Sequence, residues 1–174
     1  MTPRGELWRD FRSKLQGHRL EVLGLVRGMS EEAAEEQPND EWSVKQQIAH
    51  MCETEEGWLE RALAALQGRT RGRAGPPGDG QAFARDVEAA NAQPLWFWVT
   101  RLKAGRAETI RRLAEATLTD EALEGRDSNP SSPDMTAIQM LRALYRHDRM
   151  HLEQIQGKPS TFALGARPSG NVGG

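Results

Sequence analysis

The stretch RHDRMHLEQI, from Arg146 to Ile155, carries two of the chain's four histidines, His147 and His151, four residues apart. Neutral imidazoles at i and i+4 of a helix lie one above the other and can present two nitrogens to one cation, as zinc-binding helices of the HExxH type do. Met140, Leu144, His147, His151 and Ile155 follow a single 4-3-4-4 stripe, so both rings are expected to point into the protein. A third ligand must come from another helix, and the remaining histidines are His18 and His50. His18 falls on the apolar stripe of the first helix and reads as a core histidine with one hydrogen bond. His50 lies about 120° from the centre of its own helix's stripe, beside Gln47, Met51 and Thr54, and reads as solvated. Spacing alone leaves the third ligand open.

Four long amphipathic helices are expected to position these groups. Leu7, Phe11, Leu15, Val22, Leu25 and Met29 mark one face of a first helix that ends near Gly28, and Ser30 to Gln37 can form one short turn before Pro38. Ser43 and Gln46 have capping-box spacing, so a second long helix is expected from Val44, with Ile48, Met51, Trp58, Leu59, Ala62 and Leu66 inward and Gly68 at its end. The segment GRTRGRAGPPGDG reads as a surface loop, and Gln81 to Ala92 as a short helical segment before a third long helix from Pro94 to about Ala116, with Trp98, Leu102, Ile110 and Leu113 inward. In DSNPSSPD, Ser132 and Pro133 are suited to cap and open the fourth long helix, which Gly157 and Pro159 end near Gln156. No alternating, β-branched run appears. The fold class expected is all-α, a four-helix bundle.

The run WSVKQQIAHM, Trp42 to Met51, together with HDRMHLEQI, His147 to Ile155, resembles the two signatures of the DinB/YfiT-like superfamily of metalloenzymes. In that family a Trp-Ser pair opens the second helix, a histidine follows one to two turns later, and an H-x-x-x-H pair precedes a Gln-aliphatic pair on the fourth. Order and spacing agree over nearly the whole chain, including a short acidic turn, MSEEAAEEQP, after the first helix. The resemblance implies a DinB-like bundle over residues 1–160, and the tail over 161–174, with too little apolar content to fold alone, is expected to be flexible or docked on it. It also implies His50, His147 and His151 as the three metal ligands. His18 matches no family ligand and stands as a core or supporting residue. Gln154, three residues after His151, and Thr54, four after His50, are candidates to orient a ligand or a bound water. Asp148 lies about 100° from His147 and is expected to pair with Arg149 or a facing helix.

Three imidazoles with a position left for water describe a catalytic rather than a closed structural site. The resemblance implies zinc or nickel, while imidazole donors also suit iron(II) and manganese. It implies a metal-dependent enzyme acting on a small-molecule substrate, first by transfer of a low-molecular-weight thiol cosubstrate such as bacillithiol and second by hydrolysis. The competing reading is a non-enzymatic, stress-related or dimeric binding module whose metal is structural or incidental. No residue is identified as a general base.

Composition narrows the partners. The 174 residues are 37% hydrophobic and 28% charged, with 23 basic against 25 acidic side chains and a net charge of −2, so there is no excess of positive charge for nucleic acid. No apolar run approaches the ~20 residues of a membrane span. A lone Cys52 and the lack of a signal-like start point to a cytoplasmic protein. Cys52 reads as a small core residue, and Arg69, Arg71 and Arg73 as a solvated loop without the Gly-Lys-Ser/Thr ending of a P-loop. Trp96, Phe97 and Trp98 cannot all lie on one buried stripe, so at least one ring is expected to face a lid, solvent or the partner in a homodimer.

Overall fold

The computed structural model describes residues 3–37, 42–69, 87–126 and 135–159. Most of GRTRGRAGPPGDG, Gln81 to Asp86, all of DSNPSSPD and the tail 161–174 lie outside the described residues. Four long helices make the bundle: α1 (Pro3–Leu25), α3 (Val44–Leu66), α5 (Leu95–Glu115) and α7 (Ala137–Ile155). Among the described residues, three short helices, α2 (Glu31–Glu35), α4 (Val87–Asn91) and α6 (Asp120–Leu123), lie in the connections.

The helix boundaries follow local chemistry. Ser43 and Gln46 form the expected capping box, with the serine hydroxyl accepting from the Gln46 amide at 3.1 Å and the Gln46 side-chain oxygen accepting from the Ser43 amide at 2.8 Å. Gly28, Gly68 and Gly157 follow α1, α3 and α7 with φ of 76°, 60° and 66°, the left-handed backbone that ends helices. The start of α7 corrects the expectation at Ser132 and Pro133. Thr136 is the cap, paired with Gln139 in a second capping box, and the helix begins at Ala137. Threonine followed three residues later by glutamine satisfies two end amides at once, which proline at the first helical position does not. The backbone of Pro94 precedes α5 rather than opening it, and both Glu31 carboxylate oxygens accept from the Leu95 amide at 2.8 and 3.1 Å. Glu31 also pairs with Lys45 at 2.8 Å, as Glu35 does at 2.6 Å, so α2 is tied to both α3 and α5.

α3 packs against α5 and α7, and α1 packs against the same two helices, which sets α1 and α3 across one diagonal of the bundle and α5 and α7 across the other. The apolar core is in two parts. One contains Phe11, Leu15, Leu59, Ala62, Leu113, Met140 and Leu144; the other contains Val22, Val26, Ile48, Met51, Trp98, Leu102 and Leu152. Read along the chain, α1 and α7 run from the first cluster to the second, while α3 and α5 run back.

Between the clusters each long helix contributes one buried charged residue. Arg19 follows Leu15 and precedes Val22, Glu55 lies between Met51 and Leu59, Arg106 between Leu102 and Leu113, and Asp148 between Leu144 and Leu152. All four side chains are between 1% and 5% exposed, so the core is two apolar layers separated by a charged one. The inward stripe of α1 therefore runs Phe11, Leu15, Arg19, Val22, Val26, and the place expected for His18 is taken by Arg19. On α5 the stripe passes through Arg106 and Thr109 rather than Ile110.

Candidate functional site

Three histidines from two helices converge beside the charged layer. His147 and His151 occupy successive turns of α7, and α3 brings in His50. The Nε2 of His147 is 3.0 Å from the Nε2 of His50 and 3.1 Å from that of His151. One ligating nitrogen from each ring lies within 4.8 Å of the others, and this is the group among the described residues that could hold a metal ion.

His50 is 8% exposed, against the solvated position that its angle on the helix predicts. Every residue from Lys45 to Met51 is buried, because the first two turns of α3 meet α2, α4, α5 and α7 on successive sides. A helix covered all round has no stripe edge, so angular distance from the apolar centre loses its meaning there. His18 is not brought to the cluster. It is half-buried, donates from Nδ1 to the Tyr145 carbonyl at 2.9 Å and stands edge-on to the Tyr145 ring.

The surroundings favour the uncharged form of two of the rings, His147 and His151. Burial, then the neighbouring His50, Arg19 and Arg106, push His147 down to about 3. Burial, then His147 and His50, also lower His151 well below the ordinary histidine value, partly opposed by a hydrogen bond with Gln154. Gln47 fixes the tautomer of His151: its side-chain oxygen accepts from Nδ1 at 3.2 Å, which leaves the Nε2 lone pair turned toward the other two rings. Gln47 was not singled out in the sequence, although it sits one turn before His50 on the same side of the helix. The expected partners behave differently. Gln154 is exposed and reaches His151 from the rim, whereas the Thr54 hydroxyl donates to the His50 carbonyl at 2.8 Å and so acts on the backbone of α3.

Half-buried Trp42 closes one side, edge-on to His50 with centroids 5.1 Å apart and stacked on His151 at 6.3 Å with planes 12° apart. Its place in the sequence marked only a helix start. Asp148, next to His147, faces the other way. It takes a two-pronged contact from Arg19 at 3.0 and 2.9 Å and pairs with Arg106 at 3.0 Å, so it belongs to the charged layer and not to the histidine cluster. Arg149 pairs instead with Glu153 at 2.8 Å.

Residues 14–155 match the DinB superfamily. The chain belongs to that superfamily. Among solved structures, YfiT from Bacillus subtilis shares the DinB fold with a TM-score of 0.72 at 15% sequence identity, the alignment covering 90% of this chain and 87% of that one. It is described as "a probable metal-dependent hydrolase with an unusual four-helix bundle topology". No curated protein matches the sequence. In this DinB chain, no helix among the described residues is long and apolar enough to cross a membrane.

The donor set suits a divalent transition metal. A tetrahedral ion with nitrogens at 2.0–2.1 Å holds them about 3.4 Å apart, and the observed 3.0 and 3.1 Å come within a few tenths of this. Hydrogen bonding cannot account for the cluster unaided. A ring nitrogen carries either one hydrogen or one lone pair, so His147 Nε2 can make only one well-formed hydrogen bond where it has two nitrogen neighbours. A cation accepts all three lone pairs together.

The tryptophan run is resolved as Trp96 67% exposed, Phe97 half-buried and Trp98 buried with its indole NH donating to the Ala90 carbonyl at 2.9 Å. Half-buried Cys52 packs against the second apolar cluster with its thiol directed at the Trp98 carbonyl at 3.5 Å, and burial pushes that thiol up to about 12.

Proposed function

We propose that His50, His147 and His151 hold a divalent transition metal and that this DinB protein is a metal-dependent hydrolase acting on a small molecule. The observation that carries the reading is the convergence of three buried imidazole nitrogens, with those of His50 and His151 both close to His147 Nε2 and with the charged forms of His147 and His151 disfavoured by burial. Neutral imidazoles bind a cation without first losing a proton. Three protein donors, rather than four, is the donor count of catalytic sites. When bound there, a zinc or nickel ion would supply a Lewis acid able to bring the pKa of a coordinated water or thiol toward neutrality.

The chain's own residues prepare that chemistry. Gln47 holds His151 in the tautomer that faces the site, and Trp42 limits solvent on one side. Asp148 and Glu55, in the layer beside the site, are committed to Arg19 and Arg106 rather than to the three histidines. Hydrolysis is placed ahead of thiol transfer because the fold relative is described as a probable hydrolase. The same reading carries a homodimer with Trp96 at its surface, which sedimentation of wild type and Trp96→Ser would measure.

The test is a panel of small esters and amides offered to chelated protein and to the same protein after one equivalent of zinc or nickel is returned. The account predicts cleavage that appears only on return of metal. If no member is cleaved, but a low-molecular-weight thiol shifts the visible spectrum of the cobalt-loaded protein, the transfer reading takes precedence.

A further inference from the structure

The charged layer has a division of labour that the metal site does not by itself require. The two helices that supply histidines, α3 and α7, each place a carboxylate in the layer, Glu55 and Asp148. The two that bring no histidine to the cluster, α1 and α5, each place an arginine there, Arg19 and Arg106. Each arginine touches both carboxylates. Arg19 donates to Glu55 at 2.8 Å and to Asp148 at 2.9 and 3.0 Å, and Arg106 donates to Glu55 at 2.7 Å and lies 3.0 Å from Asp148. Each arginine also donates to backbone, Arg19 to the Leu102 carbonyl at 2.8 Å and Arg106 to the Leu15 carbonyl at 2.6 Å, while Arg106 Nη2 meets Asp148 as an ion pair without a well-aligned hydrogen bond. Thr109 completes Glu55 at 2.7 Å.

Two like-charged carboxylates on facing helices repel, and they are held at a fixed offset only because two rigid guanidinium forks each span the pair. The apolar layers above and below cannot supply this precision. Leucine, valine and methionine contacts tolerate small slides and rotations, whereas a buried polar layer is satisfied in one register and badly unsatisfied in its neighbours. The layer lies next to the site, with Asp148 adjacent to His147 in sequence and Glu55 five residues beyond His50.

We propose that Arg19, Glu55, Arg106 and Asp148 form a positioning clamp that sets the register of α3 against α7 and so holds His50 within reach of His147 and His151. The four act through the helices and touch neither metal nor substrate. The inference rests on the three-histidine reading for its metal readout, and its second readout is independent of metal.

The test compares wild type with a variant in which the layer is made apolar, Arg19→Met, Glu55→Leu, Arg106→Met and Asp148→Leu together. Replacing a buried ion network by apolar side chains of similar size commonly preserves stability, so fold and register can be separated. Thermal melting reports the fold, cobalt(II) titration with its visible absorption reports ligand geometry, and histidine ¹H–¹⁵N spectra of metal-free protein report how uniquely the rings are placed. The clamp predicts cooperative melting, cobalt binding weakened by about 10–100-fold with an altered spectrum, and histidine signals split or broadened into several environments. A folded apolar variant that matches wild type in both cobalt binding and histidine spectra overturns the clamp. If that variant does not fold, Arg106→Lys decides by the same readouts, since lysine keeps the charge but cannot span both carboxylates. Wild type that binds no cobalt defeats the metal reading alone, and the histidine spectra then decide the clamp.

Discussion

Gln47 on α3 and His151 on α7 are joined across the helix interface, amide oxygen to ring Nδ1, at 3.2 Å. The bond ties one histidine's tautomer to the helix that carries another, so the cluster is supported from α3 by Gln47 as well as by His50. Gln47→Leu removes the acceptor while keeping the side chain's bulk. Metal affinity is expected to fall about 10–100-fold, measured by competition with a chromogenic chelator, with little change in helical content.

The choice of third ligand is tested by two alanines. His50→Ala removes one of the three converging nitrogens and is expected to cut metal affinity severely. His18→Ala takes away only the contact with the Tyr145 carbonyl and ring, and affinity should match wild type. The opposite pattern would make His18 on α1, rather than His50, the third ligand.

The uncharged histidines make the metal-free fold sensitive to acid. His147 titrates at about 3 in the folded chain and His151 is lowered in the same direction, against about 6.5 when unfolded. The unfolded chain therefore binds more protons as pH falls below about 6.5, so stability is full above that value and is lost on the way toward 3. The slope contributed is up to about 1.4 kcal/mol per pH unit for each histidine. Urea unfolding of metal-free protein between about pH 7 and pH 4.5 should show this loss, and His147→Ala should show a shallower one.

Breaking the charged layer on one side is expected to be costly. Glu55→Ala leaves Arg19 and Arg106 buried with one carboxylate between them, and the loss should be about 3–5 kcal/mol in chemical denaturation. A loss below about 1 kcal/mol, the scale of a solvent-exposed pair, would mean that water reaches the layer.

Much of this was legible in the chain. The Ser43 and Gln46 cap, the glycine helix ends and the stripe that turns His147 and His151 inward all rest on local rules, and local rules hold where one helix face meets the core. His50 was missed by angle because α3 enters the bundle at a point where other elements cover all its sides. The resemblance of WSVKQQIAHM grouped His50 with His147 and His151, and the structure brings the three together. Arg19, Glu55, Arg106 and Asp148 left a faint signal, a charge in register with the apolar stripe on each of four helices. One such charge is ordinary; only the set of four identifies a layer, and pairing across the diagonals depends on tertiary packing. Thr136 with Gln139 was readable by the rule applied to Ser43, but the denser turn residues of DSNPSSPD drew the helix start upstream.

The central claim is that three histidines of this chain hold one metal ion. Mass spectrometry of metal content, on untagged wild type and His147→Ala purified in parallel from metal-replete cells, tests it most directly. The account predicts about one transition-metal ion per wild-type chain and almost none in the variant, because His147 Nε2 is the nitrogen to which both other rings are drawn. Wild type without stoichiometric metal, or a variant that carries as much as wild type, would contradict it.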